Sequence, residues 1–159
     1  MNPPIGKRWH TREDSGLRLD RDLRWWHDDE PIEHPKIVAA FNQGLQPDEQ
    51  GRFLLRFGND WCVVQVEDAA YWVHSLEVEG DEAQLSLGDG SRESLVPSTL
   101  TLDPAGVLSC QVKAGRAKAR FSRHAQFQLG ERLVASEHGV LLRLGARVVP
   151  LPFDPLGPA

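Results

Sequence analysis

The chain has 159 residues, of which 40% are hydrophobic and 26% charged, with a formal net charge of −5; this is enough apolar material for one compact domain or two small lobes sharing a core. No run approaches the ~20 apolar residues that cross a bilayer, and the opening MNPPIGKRWHTRED has basic residues without an apolar segment behind them, so neither a spanning helix nor a secretory leader is expected. The net charge conceals an asymmetry: residues 31–110 hold four basic and thirteen acidic side chains, net −9, while residues 111–147 hold eight basic and two acidic, net +6.

An extended, flexible tail is expected over residues 1–16. Next, LRLDRDLRWWHDDEPI (17–32) alternates Leu17, Leu19, Leu23 and Trp25 with polar neighbours, as edge strands do. Pro35 suits the first turn of a helix, where its missing N–H costs nothing. After it Ile37, Phe41 and Leu45 form one apolar stripe that Gln46-Pro47 ends, predicting a helix over 35–45 with its stripe in the core. FLLRF (53–57) and WCVVQV (61–66) flank Gly58-Asn59-Asp60, which has the positive-φ tolerance of a tight hairpin. Strands are expected at 70–80, 83–87, 93–96, 99–102 and 107–112, with turns at Gly88-Asp89-Gly90 and Asp103-Pro104-Ala105-Gly106. Over 113–133, Phe121, Ala125, Leu129 and Leu133 fall at four-residue steps and predict a second helix. VLLRLG (140–145) and RVVPL (147–151) close as a hairpin, with Pro150 on an edge strand.

The order repeats. EQGRFLLRFGNDWCVV (49–64) answers EHGVLLRLGARVVPL (137–151), with Gly58 set on Gly145, Arg56 on Arg143 and Trp61 on Val148, and with one extra residue before Phe53. Upstream, Phe41-Asn42-Gln43-Gly44 answers Phe127-Gln128-Leu129-Gly130. Two copies of a strand–helix–hairpin motif predict an α+β fold, mostly antiparallel and β-rich, in two lobes. The lobes are expected at 17–78 and 79–153, with a short tail at 154–159.

Chemistry-bearing residues are few. Cys62 and Cys110 sit in apolar strand-like runs and read as reduced, buried residues of a cytoplasmic protein. With no CxxC and no second Cys/His cluster, neither a metal site nor a cofactor is expected. Glu67 and Asp68 interrupt the most hydrophobic stretch. Neighbours in a strand point to opposite faces, so the two form no carboxylate dyad. Asp68 reads as a turn residue accepting local N–H groups or facing a nearby Arg, and Glu67 as solvated or paired with the basic segment. His74 shares a strand face with Trp72, Leu76 and Val78 and reads as a core histidine. Arg116, Arg120 and Arg123, spaced four and three apart with Lys113 one turn earlier, predict one basic helical face. That face either pairs with the acidic half or receives an anionic small ligand or an acidic partner. The acidic whole disfavours nucleic acid.

The runs DLRWWHDDEPIEHPKIVAAFNQGL (22–45), DEQGRFLL (48–55), CVVQVEDAAYWV (62–73) and ARFSRHAQFQL (119–129) resemble an uncharacterised bacterial family catalogued as domain of unknown function 1285. The most specific pieces are Trp25 with Pro31-Ile32, Val66-Glu67-Asp68-Ala69, and Ala119-Arg120-Phe121-Ser122-Arg123. The resemblance implies two β-rich lobes with a repeated motif and suggests regulation or signalling through ligand binding, with no established activity. The chain departs from the family pattern at Arg56-Phe57-Gly58-Asn59-Asp60, where a Thr-Pro-x-Glu turn is usual, at His34 for Arg and at Ala70 for Pro. A family ligand held at those positions would be lost here. The expectation is a non-catalytic module binding a small anionic ligand or a protein partner, with Trp25, Asp68, Arg116, Arg120 and Arg123 as candidate binding residues. The alternative is a small hydrolase or transferase with its site between the lobes.

Overall fold

Leucine and tryptophan alternate with charged residues early in the chain, and the computed structural model, which describes residues 10–155, folds that alternation into a hairpin. Strands β1 (Leu17–Leu19) and β2 (Trp25–His27) pair antiparallel, Leu17 opposite His27 and Leu19 opposite Trp25. One face carries Leu19 and Trp25, both 1% exposed. The other carries Arg18 and Trp26, the guanidinium 5.1 Å from the ring centre. Asp20 ties the connecting loop, accepting from the backbone N–H of Asp22 and Arg24 and from Trp26 Nε1.

The chain divides at Ala70/Tyr71 into two compact units, upstream of the 78/79 boundary expected. The first unit adds β3 (Glu30–Pro31), α1 (Pro35–Gly44), β4 (Leu45–Pro47), β5 (Phe53–Phe57) and β6 (Asp60–Val66). Its sheet runs β3-β2-β1-β6-β5-β4, antiparallel except for β1 with β6. His34 caps α1, its Nδ1 accepting from the Lys36 N–H at 3.2 Å. The stripe assigned to the core is buried only at Leu45, just past the helix, at 3% exposure; Ile37 is 44% exposed, Phe41 is half-buried, and α1 itself has no buried residue. Ile37 and Phe41 border an open hollow. The tail reading fails for residues 10–16, because Arg12 C=O accepts from Val63 N–H and Ser15 Oγ donates to Val63 C=O; residues 1–9 lie outside those described.

The second unit contains β7 (Tyr71–Glu79), β8 (Glu82–Leu87), β9 (Arg92–Ser94), a 3₁₀ turn (Pro97–Thr99), β10 (Thr101–Leu102), β11 (Leu108–Val112), β12 (Ala117–Phe121), α2 (Arg123–Gly130), β13 (Leu133–Ser136), β14 (Gly139–Leu144) and β15 (Arg147–Pro150). One sheet runs β10-β11-β12-β7-β8-β9, with β7 and β12 parallel; β13-β14-β15 form another. Among the described residues the fold is therefore mostly β, three sheets with two α-helices.

The helix expected over 113–133 is corrected. Lys113, Ala114 and Gly115 all take positive φ and turn the chain, and Ala117, Ala119 and Phe121 are then buried at a period of two, in a strand. Small side chains between two neighbouring strands outweighed the helical propensity of alanine, lysine and arginine. Only 123–130 is helical, with the Ser122 hydroxyl accepting from Ala125 N–H as its cap. His74 is also corrected. The register of β7 with β8 shifts between Val73 and Ser75, so the alternation changes face and His74 is exposed.

Each unit holds a helix, one strand and a hairpin in that order. The hairpins turn at Gly58 (φ 59) and Gly145 (φ 61), with Arg56 opposite Trp61 and Arg143 opposite Val148. Leu45 faces Leu55 in one sheet and Leu133 faces Leu142 in the other.

Candidate functional site

Antiparallel pairing of β1 and β2 places Leu17 and His27 on the face that carries Trp25. Trp25 Nε1 donates to Asn42 Oδ1 at 2.8 Å, and the Trp25 ring meets Phe41 edge-on, the centres 5.2 Å apart. These contacts set α1 beside the hairpin, and an open hollow of about 680 Å³ lies along the stripe that α1 leaves uncovered. Leu17, Pro31, Ile32, Ile37 and Phe41 supply its apolar wall. Its polar lining includes His10, Arg12, Ser15 and His27. Ser15 is committed to structure, its hydroxyl donating to Val63 C=O and accepting from Leu17 N–H. Arg12 is 59% exposed; its guanidinium reaches Asp60 at 3.4 Å and stands 5.5 Å from the Trp61 ring centre.

Beside the hollow, His10 Nε2 lies 3.1 and 3.0 Å from the two carboxylate oxygens of Asp28. The His10 and His27 ring centres are 4.6 Å apart at an interplanar angle of 41°.

The residues singled out in the sequence are differently employed. Trp25 is a buried core residue with its N–H satisfied by Asn42. Glu67 holds the β6 end to β1: it accepts from Arg18 Nη1 at 2.7 Å and from the Arg21 N–H at 3.0 Å. Its cation comes from β1, not from the basic segment. Asp68 is half-buried in the bend before Ala69. Arg116, Arg120 and Arg123 share no helical face; they lie in the turn before β12, within β12 and at the first residue of α2. Lys113 forms an ion pair in the second unit, its Nζ 2.7 Å from Asp89 Oδ2 and 2.9 Å from Ser91 Oγ.

That ion pair is electrostatically tight. Burial alone would raise the Asp89 carboxyl, but hydrogen bonds from Lys113 and Ser91 outweigh it and hold the group below its usual range. Burial, then Asp89 and Glu93, push the Tyr71 phenol upward. Burial, then Glu93, push the Cys110 thiol up to about 12, which keeps it protonated and unreactive near neutral pH. Both cysteines are free.

Sequence reasoning missed His10, Arg12, His27 and Asp28. His10 and Arg12 fell in a segment read as tail, and the histidines are 17 positions apart, outside any short metal or catalytic spacing. The available signal was the His27-Asp28 pair next to a turn.

Residues 3–69 match the family model described as domain of unknown function (DUF1285), N-terminal domain. The fold is similar to a crystal structure of a DUF1285 family protein from Silicibacter pomeroyi, at 22% identity over 94% of this chain and 86% of that one, with a TM-score of 0.66. It is also similar to one from Shewanella baltica, at 15% identity over 74% of this chain and 91% of that one, with a TM-score of 0.55. No curated protein matches.

Proposed function

We propose that the chain, whose residues 3–69 match the model of the DUF1285 N-terminal domain, is a non-catalytic binding module with a regulatory role. Its ligand is a small molecule with an apolar body and an anionic end. The hollow of the first unit carries this reading: an apolar wall of Leu17, Ile32, Ile37 and Phe41 faces a lining that includes Arg12 and His10. Concave apolar sites with a few placed polar groups are the usual form of small-molecule sites. The Arg12 guanidinium holds a long, exposed ion pair to Asp60 and stands over the Trp61 ring; a ligand carboxylate can replace that ion pair at little cost. The free cysteines support a reducing, cytoplasmic setting, and among the described residues no helix is long and apolar enough to cross a membrane.

The finer reading of the fold is two α+β lobes built on one repeated motif. Its support is the shared helix–strand–hairpin order and the matched pairings of Leu45 with Leu55 and Leu133 with Leu142.

Calorimetric titration of the full chain with octanoate, against octylamine and octanol, tests the ligand class. Octanoate alone should bind and raise the melting temperature. Ile37→Asp and Arg12→Ala should each weaken binding by about tenfold, the equivalent of ~1.4 kcal/mol. Equal behaviour of the three probes, or binding untouched by both variants, overturns the reading.

A further inference from the structure

Adjacent residues in an extended strand point to opposite faces, yet His27 and Asp28 both contribute to one cluster. The reason is the backbone. His27 ends β2, and Asp28 takes a φ of 52, its N–H donating to Gly16 C=O at 2.8 Å. This left-handed residue turns its carboxylate toward His10. His10 in turn precedes a segment fixed by the Thr11 N–H to Asp14 C=O bond at 3.1 Å and the Val63 N–H to Arg12 C=O bond at 2.7 Å. One donor atom from each of His10, His27 and Asp28 then lies within 4.8 Å of the others.

We infer that His10, His27 and Asp28 form a binding site for a divalent first-row transition-metal ion, with zinc as the ion that fits these donors. Two imidazoles and one carboxylate are borderline ligands that suit zinc, whereas magnesium and calcium favour oxygen alone. Two donors bonded to zinc at about 2.0–2.1 Å stand roughly 2.8–3.4 Å apart for bond angles from square to tetrahedral. His10 Nε2 and the Asp28 oxygens already stand 3.0 and 3.1 Å apart. Rotation of the exposed His27 ring brings the third donor in. Without metal, a proton on His10 Nε2 bridges to the Asp28 carboxylate; metal replaces that proton between the same two atoms. Three protein ligands leave a coordination position for water or another donor. The assignment rests on the cluster alone and does not depend on what fills the hollow.

The test uses untagged full-length protein, zinc and a competing chromogenic chelator, 4-(2-pyridylazo)resorcinol. Wild type should take up one zinc per chain, and uptake should raise its melting temperature. His27→Ala and Asp28→Asn should each weaken zinc binding by at least ~10-fold, since even outer-shell partners are worth that much. His124→Ala, an exposed histidine of α2, should leave binding unchanged. His27 is exposed, and asparagine tolerates the positive φ of Asp28, so both variants should keep the metal-free melting temperature. Should either lose it, His10→Ala takes its place in the comparison. Cobalt should give visible d–d bands without a sulfur charge-transfer band. Failure to take up one equivalent, affinity unchanged in the ligand variants, or a thiolate band bringing Cys62 into the coordination overturns the site.

Discussion

Replacing Lys113 by methionine removes an ammonium, keeps most of the side-chain volume, and leaves a carboxylate without its counter-charge. The Asp89 side chain is 9% exposed and that of Lys113 is 24% exposed. Lys113 has a φ of 54, which strains lysine and methionine alike, so backbone strain drops out of the comparison. Breaking a buried pair from one side typically costs about 3–5 kcal/mol. Here Asp89 keeps two hydrogen bonds from Ser91, from its N–H at 3.0 Å and its hydroxyl at 2.6 Å. Water also reaches the Lys113 end, so the expected loss is about 2–3 kcal/mol.

The sign of the pH dependence follows from the same geometry. In the wild type the Asp89 carboxyl is held below its ordinary value of 3.8. Its contribution is therefore present above that value and is lost as pH falls through the lower folded-state value. In Lys113→Met the burial that opposes ionisation is left with only Ser91 against it, and that contribution shrinks or reverses. Urea denaturation should show the two proteins furthest apart near pH 7 and converging below about pH 4. Asp89→Asn in the Lys113→Met background should recover part of the loss, giving a coupling energy of at least about 1 kcal/mol. A loss under about 0.5 kcal/mol, a pH-independent gap, or an additive double-mutant cycle would refute this account.

The two hairpin glycines should differ in tolerance. At Gly58 nothing crowds an added Cβ, so Gly58→Ala should lose only about 1 kcal/mol for its positive φ, whereas at Gly145 the Cβ would run into the Gly80 carbonyl and the loss should reach about 2–4 kcal/mol by urea titration. Gly88→Ala would drive a Cβ into the Trp72 ring; it should lower stability by about 1–3 kcal/mol and shift the tryptophan fluorescence. Trp25→Phe leaves Asn42 Oδ1 without its donor and should cost about 1–3 kcal/mol by thermal unfolding. Glu67→Ala removes the acceptor of Arg18 and Arg21; it should cost about 0.5–1.5 kcal/mol, and a neutral result would show that the bridge contributes nothing.

Strands and turns were legible wherever local chemistry and tertiary placement agreed. FLLRF, WCVVQV and the intervening glycine became β5, β6 and their turn because alternation, β-branched residues and a positive φ all favour one hairpin. The pairing of Arg56 with Trp61 and of Arg143 with Val148 followed for the same reason. At 113–122 the two levels disagreed. Alanine, lysine and arginine favour a helix locally, but Ala117 and Ala119 are small enough to fill the sheet between β11 and β7, and both are 3% exposed or less. The four-residue spacing of Phe121 and Ala125 joined the end of a strand to a helix. Strands β4 and β13, three and four residues long, were too short to produce a period of their own.

The site was illegible for a different reason. His10, Arg12, His27 and Ile37 come together through the pinning of residues 12–15 to β6, the left-handed turn at Asp28 and the hydrogen bond from Trp25 to Asn42. None of these is a short-range pattern. The sequence did mark their scaffold, since Trp25 and Pro31-Ile32 were among the most specific points of the family resemblance. Trp25 works as a strut. By fixing α1 with Ile37 and Phe41 short of full burial, it leaves both lining the hollow. A stripe at helical spacing shows only that a face must meet something apolar. Whether that is the core or a ligand depends on the angle at which the helix is held, and here a single indole N–H helps to set it.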